Sequence, residues 1–247
     1  MKENISKMMV NDKRNIHIDC KSDTIPVKFS YFLIRKIFGP IVRLIWVKKV
    51  TGLNNIPLKG PVLVAFNHQS YFDFICFIAI SPRNVHYLSA EKFFTNALWL
   101  PLMRVTGQIE VRRTSKDKRE VHNLVNEHLR RGFMIGIFPE GTRNPDETQM
   151  LKAFTGVAKY ASLNCIPVIP VGIKHAEKVM SRHDKKPKFK KIIEFHIGEP
   201  IHFHPYTDRA KLNKKSIRTL TTKIMLRIEK LSGKSYPHRE KWETITA

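Results

Sequence analysis

The sequence predicts an α/β fold: a mixed, mostly parallel sheet between layers of helices, preceded by a helical segment that lies in a membrane interface. Short apolar runs of strand length alternate with segments of helical periodicity from about residue 61 to residue 231. This alternation is typical of sheets whose strands are connected by helices. With 247 residues, 42% of them hydrophobic, the chain is large enough to form one domain around a substantial core.

The amino-terminal part of the chain changes character at residue 26. Residues 1–25 are polar and predict a leader outside the folded domain. Residues 26–50 are rich in aromatic and aliphatic side chains and carry only positive charges. No uncharged run in them reaches the roughly 18–20 residues that a membrane-spanning helix needs. The stretch predicts one or two helices lying in a bilayer interface and divided near Gly39-Pro40; an amphipathic helix packed on the protein's own core is the alternative.

Residues 51–247 are expected to form a single domain, whose elements follow from hydrophobic periodicity. The predicted strands cover residues 61–66, 85–90, 107–113, 133–138, 166–173 and 192–197. The predicted helices cover a segment that ends near residue 80, and then residues 93–106, 117–131, 154–163 and 209–231. Pro167 and Pro170 predict that their strand lies at a sheet edge or starts irregularly.

The strongest bulk property of the chain is its charge. It contains 44 Lys and Arg residues against 21 Asp and Glu residues, a net charge of +23. Such a charge predicts an anionic partner: nucleic acid, a membrane surface, an acidic protein or a phosphorylated substrate. No nucleic-acid-binding motif accompanies the charge, which disfavours the first of these.

The three cysteines predict neither a metal site nor a disulfide framework. Cys20, Cys76 and Cys165 are far apart and have no metal-ligand spacing, as expected for reduced residues of an intracellular protein. Cys76 lies in an apolar run close to His68, so a catalytic thiol has to be weighed. A small buried hydrophobic residue is the favoured interpretation.

His68 and Asp73 form the first candidate site. They lie between two apolar runs, at a predicted junction between a strand and a helix. A His can accept a proton near neutral pH, and a carboxylate can orient its ring and stabilise the imidazolium. Five positions apart, the two do not share one face of a regular helix. The pair therefore requires His68 in the turn before the helix and Asp73 in its first turns.

A second candidate site follows the strand predicted at residues 133–138. Ligand sites of α/β folds favour such carboxyl-terminal strand ends. A Gly lets the backbone approach a ligand closely, and an Arg can bind a phosphate through two parallel hydrogen bonds. The residues concerned are Glu140, Gly141, Thr142 and Arg143. An ordinary turn with a solvated Arg is the alternative. Further cations near predicted strand ends could bind phosphate or simply be solvated: Lys92, Arg112 and Arg113.

Four stretches of the chain together suggest a family: NHQSYFD, GQIEVRR, FPEGTRN and IPVIPV. Their order and approximate spacing are similar to those of glycerolipid acyltransferases. The chain resembles the 1-acylglycerol-3-phosphate acyltransferase family over roughly residues 50–200, and the first and third stretches are the specific ones. Two departures are that Arg112 stands where many relatives have Asp, and that Phe154-Thr155-Gly156 lacks a Lys for which Lys152 could substitute.

The resemblance implies a role for each matching residue. His68 matches the family's catalytic base and Asp73 the carboxylate that orients it. Arg113 matches an arginine associated with the substrate phosphate. The third stretch, with Glu140, Gly141 and Arg143, is likewise linked to binding the phosphate of the acyl acceptor, and the fourth stretch to shaping the acyl site.

The implied activity is acyl transfer to the free sn-2 hydroxyl of lysophosphatidate, giving phosphatidate. Acyl-carrier protein or acyl-coenzyme A would supply the acyl chain, and no metal or other cofactor is expected. We expect a peripheral or monotopic protein on the cytoplasmic face of an anionic membrane. Another lysolipid or an aminolipid is the alternative acceptor, and a basic nucleic-acid-binding protein is the alternative of another class.

Overall fold

Seven strands form the sheet at the centre of the computed structural model, which describes residues 24–112, 119–203 and 213–239. The strands are β1 (Val47–Thr51), β2 (Val62–Phe66), β3 (Val85–Ala90), β4 (Ile109–Val111), β5 (Met134–Ile137), β6 (Val168–Lys174) and β7 (Ile193–Ile197). Their order across the sheet is β1-β7-β6-β2-β5-β3-β4. The strands from β6 to β4 are all parallel, whereas β7 runs antiparallel to β6 and carries β1 parallel to itself. The prediction of a mixed, mostly parallel sheet is confirmed.

Helices connect these strands. The described helices are α1 (Ile25–Leu33), α2 (Gly39–Ile45), α3 (Phe72–Ile80), α4 (Lys92–Thr95), α5 (Leu100–Val105), α6 (Arg119–Arg130), α7 (Gly156–Asn164), α8 (Ala176–Val179) and α9 (Lys214–Ser232). A π-helical turn (Ile34–Phe38) joins α1 to α2, and a short 3₁₀ helix (Leu53–Asn55) follows β1. The predicted helix starts at residues 117 and 209 lie outside the described residues, as do residues 1–23 of the predicted leader.

The central strand β2 is buried on both faces, which explains its uninterrupted apolar sequence. Val62, Val64 and Phe66 pack in a cluster with the side chains of α3 and the amino-terminal helices. Leu63 and Ala65 point to the other face and pack with α6, α7 and α9. Full burial of such a side chain contributes about 1.5–3 kcal/mol relative to exposure. The loop after β2 therefore starts from a strand that is buried along its whole length.

The amino-terminal helices pack on the domain with one side and expose apolar side chains on the other. Val27 and Tyr31 are buried in the core. Gly39 allows close packing of α2 on α3, because a Cβ there would lie 2.9 Å from the carbonyl oxygen of Ala79. The exposed apolar side chains of this segment are Ile25, Phe29, Phe32, Ile37, Phe38, Ile41 and Leu44. Among the described residues, no helix is both long and apolar enough to cross a membrane.

Two predicted helical segments differ in the structure, whereas the favoured interpretation of Cys76 holds. The helical segment predicted to reach residue 50 ends at Ile45, because Val47–Thr51 form a strand that pairs with β7. The predicted helix 93–106 divides into α4 and α5. Cys76 is buried, and burial raises its pKa far above the usual range, as expected for a small core residue.

The prolines of the fourth stretch predict a sheet edge or an irregular start, and the first of these is wrong, because β6 lies inside the sheet, between β7 and β2. Pro170 is tolerated because pairing with β7 begins one residue later, at Val171. The carbonyl of Pro170 accepts a hydrogen bond from the N–H of Gly198 (2.9 Å), so the Pro nitrogen faces the same side, beyond the regular ladder. The missing N–H of Pro170 therefore falls at the end of the ladder with β7 and interrupts no pair inside it.

Candidate active site

The candidate site lies at the carboxyl edge of the parallel strands, where two loops leave the sheet side by side. β2 and β5 are parallel neighbours, with Ala65 paired to Ile137. The loop with His68 follows β2, and the loop with Arg143 follows β5. Strand pairing therefore brings together two stretches that are about 70 residues apart in the sequence.

His68 and Asp73 are in direct contact. The Nδ1 atom of His68 lies 2.8 Å from Oδ2 of Asp73, whose side chain is 1% exposed. The same oxygen accepts the backbone N–H groups of Gln69 (2.7 Å) and Ser70 (2.9 Å). Because the carboxylate accepts the Nδ1 proton, Nε2 is left with a lone pair for a substrate proton.

The position of Asp73 follows from the start of α3. The helix begins at Phe72, so Asp73 lies in its first turn and its carboxylate reaches back over the preceding loop. The N–H groups at a helix amino terminus favour a negative charge there. The hydroxyl of Ser70 accepts the N–H of Phe72 (3.1 Å) and donates to the carbonyl of Met180 (2.7 Å), which ties this turn to the segment after α8.

Aromatic rings form much of the wall of the cleft beside His68. The imidazole stacks on Phe138, with 4.0 Å between ring centroids. The aromatic residues that line the cleft with His68 are Tyr71, Phe74, Tyr87, Phe93 and Phe138. The side chain of His68 is 14% exposed. Such a site can hold an apolar group next to the imidazole and limit access of water to it.

Glu140 supports the His68 loop from below the cleft. Its Oε1 accepts the backbone N–H of His68 (2.8 Å), and its Oε2 accepts the N–H of Leu151 (2.9 Å) and the side-chain amide of Asn144 (3.1 Å). The residue is 3% exposed. Its carboxylate is thus turned to the backbone of the two loops rather than presented to the cleft.

Burial raises the pKa of Glu140 to about 7, against the effect of the three N–H groups that favour its charged form. The nearby Asp73 carboxylate raises this pKa further. The charge state of Glu140 is therefore sensitive to pH near neutrality.

The two loops are cross-linked at the backbone of His68. Its N–H donates to Glu140, and its carbonyl accepts the N–H of Asn144 at 2.7 Å. The preceding residue, Asn67, exchanges two hydrogen bonds with the backbone of Ile173 in β6 (2.9 and 2.7 Å). The imidazole is therefore held by neighbours on both sides of β2.

Arg143 lies at the cleft through Tyr71. Its guanidinium carbon is 3.7 Å from the centroid of the Tyr71 ring, a cation–π contact. The carbonyl of Arg143 accepts a hydrogen bond from Arg182 (3.2 Å). Stacking occupies one face of the guanidinium and leaves its edge N–H groups able to bind an anion.

The glycine of this loop is required by its backbone conformation. Gly141 has φ of +69° and lines the cleft, and a Cβ there would lie 2.6 Å from the ring of Phe154. Thr142 is half-buried between Gly141 and Arg143. The turn that joins Glu140 to Arg143 therefore requires a glycine at position 141.

A segment near the carboxyl terminus braces the same loop. The N–H of Met150 donates to Ser235 (2.8 Å), and the N–H of Ser235 donates to Thr148 (2.9 Å). The hydroxyl of Tyr236, which is fully buried, accepts the N–H of Ala153 (3.3 Å). Residues 148–153 are thereby attached to the chain that follows α9.

Of the remaining predicted cations, Lys92 and Arg112 are among the described residues. Lys92 is exposed at the start of α4, with its Nζ 5.4 Å from the centroid of the Phe93 ring, so it lies next to a wall of the cleft. Arg112 follows β4 and pairs with Glu110 at 3.4 Å. β4 is three strand spacings from β2, about 14 Å. Arg113 lies outside the described residues.

Several contacts in the site are not indicated by the sequence. The motifs contain Tyr71, Phe138 and Asn144 but do not show that these residues contact Arg143 and His68. Asn144 has a weak signal, since a polar residue after a buried strand and turn often satisfies backbone groups. Its partner at His68 depends on the pairing of β2 with β5.

The arrangement can perform proton transfer on a substrate that carries an anionic group. The base is Nε2 of His68, the nearby positive charge is Arg143, and the apolar walls favour a lipid-like substrate. In the described part of the chain, no group of three or more His, Cys, Asp or Glu side chains could hold a metal ion.

Comparison with known proteins gives consistent results. The sequence profile of a family described as Acyltransferase matches residues 48–174, just over half of the chain. The 1-acyl-sn-glycerol-3-phosphate acyltransferase of Bacillus subtilis is 25% identical over 188 residues, which cover 75% of this chain and 88% of that protein. The enzyme of the same name from Borreliella burgdorferi is 30% identical over 185 residues, covering 73% and 70%.

The fold also has a counterpart among solved structures. The crystal structure of the 1-acyl-sn-glycerophosphate acyltransferase from Thermotoga maritima superposes with a TM-score of 0.59. The match covers 87% of this chain and 89% of that chain, at 20% identity, and shows the likeness of fold alone. With the family match over residues 48–174, in which the His68–Asp73 pair lies, this chain belongs to the acyltransferase family.

Proposed function

We propose that this protein transfers a fatty acyl chain from a thioester donor to the free sn-2 hydroxyl of lysophosphatidate, producing phosphatidate. The observation that carries the proposal is the His68–Asp73 pair, 2.8 Å apart, in an aromatic cleft beside Arg143. The names of the Bacillus subtilis and Borreliella burgdorferi relatives support the choice of acceptor.

The proposed reaction is a direct transfer. Nε2 of His68 takes the proton of the acceptor hydroxyl as its oxygen attacks the thioester carbonyl carbon. The tetrahedral intermediate collapses as the carbon–sulfur bond breaks, and the imidazolium returns its proton to the leaving thiolate. Asp73 stabilises the imidazolium in between. General-base catalysis of this kind contributes roughly 10²- to 10⁴-fold to the rate.

Arg143 is proposed to bind the acceptor phosphate. Its stacked guanidinium can fork two phosphate oxygens, which would fix the distance between the phosphate and the hydroxyl that faces His68. Arg113 joins it in this proposal on the strength of the family resemblance. Gly141 and Thr142 shape the turn that carries Arg143, and Lys92 adds positive charge near the entrance. The proposed chemistry uses no metal ion or organic cofactor.

An apolar groove next to the cleft suits the acyl chain. It lies between the amino-terminal helices and the helices α3 and α5, with a volume of about 640 Å³. Phe74 lines both this groove and the His68 cleft. An acyl chain can therefore extend from the reacting carbonyl past Phe74 into an apolar environment, which is favourable by about 0.8 kcal/mol per buried CH₂ group.

The exposed apolar side of the amino-terminal helices supports peripheral or monotopic binding to an anionic membrane, which we propose on its cytoplasmic face. Phe29, Phe32 and Leu44 are 59%, 54% and 69% exposed. The net charge of +23 adds electrostatic attraction, about 1 kcal/mol for each cation near an anionic surface.

Turnover of the His68→Ala protein tests the proposal. We expect the rate of phosphatidate formation in detergent micelles to fall about 10³-fold, because the general base is removed. The matched control is His183→Ala, which removes an exposed imidazole. Assays with acyl-carrier-protein and coenzyme A thioesters would identify the donor, and lysolipids with head groups or amino groups would test the alternative acceptors. Near-normal turnover of the His68→Ala protein would contradict the mechanism.

A further inference from the structure

A second cleft, separate from the His68 cleft, is rich in positive charge. It lies between α2 and the edge strand β1 and has a volume of about 480 Å³. Five of its lining residues are cationic and none is acidic: Arg35, Arg43, Lys48, Lys49 and Lys191. None of these residues lines the His68 cleft.

The charges in this cleft are only partly balanced by the described residues around it. Lys48 pairs with Glu194 at 3.2 Å. Arg35 is half-buried, donates to Asn84 and lies over the ring of Tyr31, 5.8 Å from its centroid. Its Nε is buried without a hydrogen-bond partner among the described residues. Cations held this close together repel one another, so a bound anion would relieve the repulsion.

The position of the cleft indicates which anion it suits. Leu44 lines the cleft, and Ile41 and Leu44 of the adjoining helix are 50% and 69% exposed. Positive charge thus lies directly beside an exposed apolar surface. A ligand with an anionic head and an apolar tail satisfies both, whereas a soluble anion satisfies only the charge.

The cleft follows β1 from the sheet edge at which the candidate active site lies toward the opposite edge, where Arg35 is bonded to Asn84 just before β3. Val47 pairs with Ile193, and Glu194 with Lys174 at the end of β6, which runs parallel to β2. The start of β1 therefore lies at the sheet edge from which the His68 loop leaves. β1 is three strand spacings from β2, about 14 Å away.

We infer that the cleft between α2 and β1 is a non-catalytic binding site for the phosphate head group of an anionic membrane phospholipid. The inference rests on the membrane association in the proposed function and adds a specific site to it. A head group held there, with Ile41 and Leu44 in the acyl region, would fix the orientation of the enzyme on the bilayer. The amino-terminal helices, which also line the apolar groove next to the His68 cleft, would then lie against the membrane.

The test compares two triple variants of the full-length protein. The cleft variant is Arg43→Gln/Lys49→Gln/Lys191→Gln; it leaves Lys48 with its partner Glu194. The control variant is Lys223→Gln/Arg227→Gln/Lys230→Gln, which removes three charges from another cationic cleft at the opposite end of the sheet. Both variants therefore have the same net charge.

Binding is measured by flotation with vesicles of phosphatidylcholine, with and without phosphatidylglycerol. Phosphatidylglycerol is chosen because it is neither substrate nor product of the proposed reaction. We expect the cleft variant to bind the anionic vesicles about 100-fold more weakly than wild type, from roughly a factor of five per cation. The control variant should stay within about threefold of wild type, and on neutral vesicles all three proteins should bind alike.

Equal losses in the two variants would overturn the inference, because they would mean that the attraction is a property of the whole charged surface. Wild-type binding by the cleft variant would overturn it as well. Turnover in detergent micelles is measured separately, and both variants should keep it. If the wild-type protein shows no acyl transfer, the proposed function is refuted. The comparison of vesicle binding between the two variants still decides whether the cleft binds the head group.

Discussion

The backbone of His68 is held at both its N–H and its carbonyl, by Glu140 and by Asn144. Glu140 reaches this position because three N–H groups converge on its buried carboxylate. We propose a positioning role for Glu140, in which its carboxylate holds the backbone of His68 and so helps to fix the imidazole. This differs from the phosphate-binding role implied by the family resemblance, since a carboxylate beside a phosphate would repel it.

Replacement of Glu140 by Gln tests this role. The amide group of Gln brings N–H donors toward the N–H groups of His68, Leu151 and Asn144, so at least one contact is lost. We expect kcat to fall about tenfold to hundredfold while KM for the acceptor stays within about twofold. Glu147→Gln, an exposed change in the same loop, is the control. A large increase in KM with kcat preserved would instead place Glu140 at the substrate.

How much of the site was predictable depends on the distance along the chain. His68 and Asp73 are five residues apart, and the junction between strand and helix was enough to predict their contact. The hydrogen bond between Glu140 and His68 spans 72 residues. It exists because β2 and β5 are neighbours in the sheet, which no local pattern specifies.

At the scale of elements, the amino-terminal helices combine the two alternatives that the sequence left open. Val27 and Tyr31 pack in the core, as in an amphipathic helix on its own domain. Most of the other large side chains are exposed, as an interfacial segment requires. The strand β1 was missed because its partner β7 lies about 145 residues later, and because Lys48 and Lys49 interrupt its apolar pattern.

The contribution of an exposed apolar side chain to membrane binding can be tested by comparing two equally exposed leucines. Leu44 and Leu58 are similarly exposed, at 69% and 71%, but Leu58 precedes β2 at the opposite end of the sheet from His68. We expect Leu44→Ser to weaken binding to neutral phosphatidylcholine vesicles about tenfold, through the loss of apolar burial, and Leu58→Ser to leave it unchanged. Equal effects would argue against a membrane-facing side formed by the amino-terminal helices.

At the scale of the whole molecule, the buried His86 couples stability to pH. It is fully buried, and its Nδ1 lies 2.9 Å from the carbonyl of Gly107. Burial, together with the nearby His128, lowers the pKa of His86 to about 4. A pKa below the unfolded value of about 6.5 means that the unfolded chain binds the proton first as the pH falls.

The folded state should therefore lose stability between about pH 6.5 and pH 4, by roughly 3 kcal/mol from this group. Urea unfolding of wild type and His86→Gln at neutral and acidic pH measures it. The variant should be less stable at neutral pH but lose less on acidification, because its side chain does not titrate. Parallel losses in the two proteins would show that His86 does not control the acid response.

The sheet as a whole was predictable to a greater extent than its edges. Strands buried on both faces, such as β2, have apolar runs that identify them directly. For β6 the prolines left two alternatives, and the sheet edge was the wrong one, since β6 lies between β7 and β2 and its regular pairing with β7 starts only after Pro170. The net charge predicted an anionic partner, but only the fold shows that cations collect in a cleft beside an apolar surface.

The brace formed by Ser235 and Tyr236 has a consequence for synthesis of the protein. These residues follow every described strand and helix, yet they hold residues 148–153, which in turn hold Glu140 through Leu151. While the chain is still emerging from the ribosome, the sheet can assemble before this brace arrives. Acyl transfer is then expected only after residue 236 has left the exit tunnel.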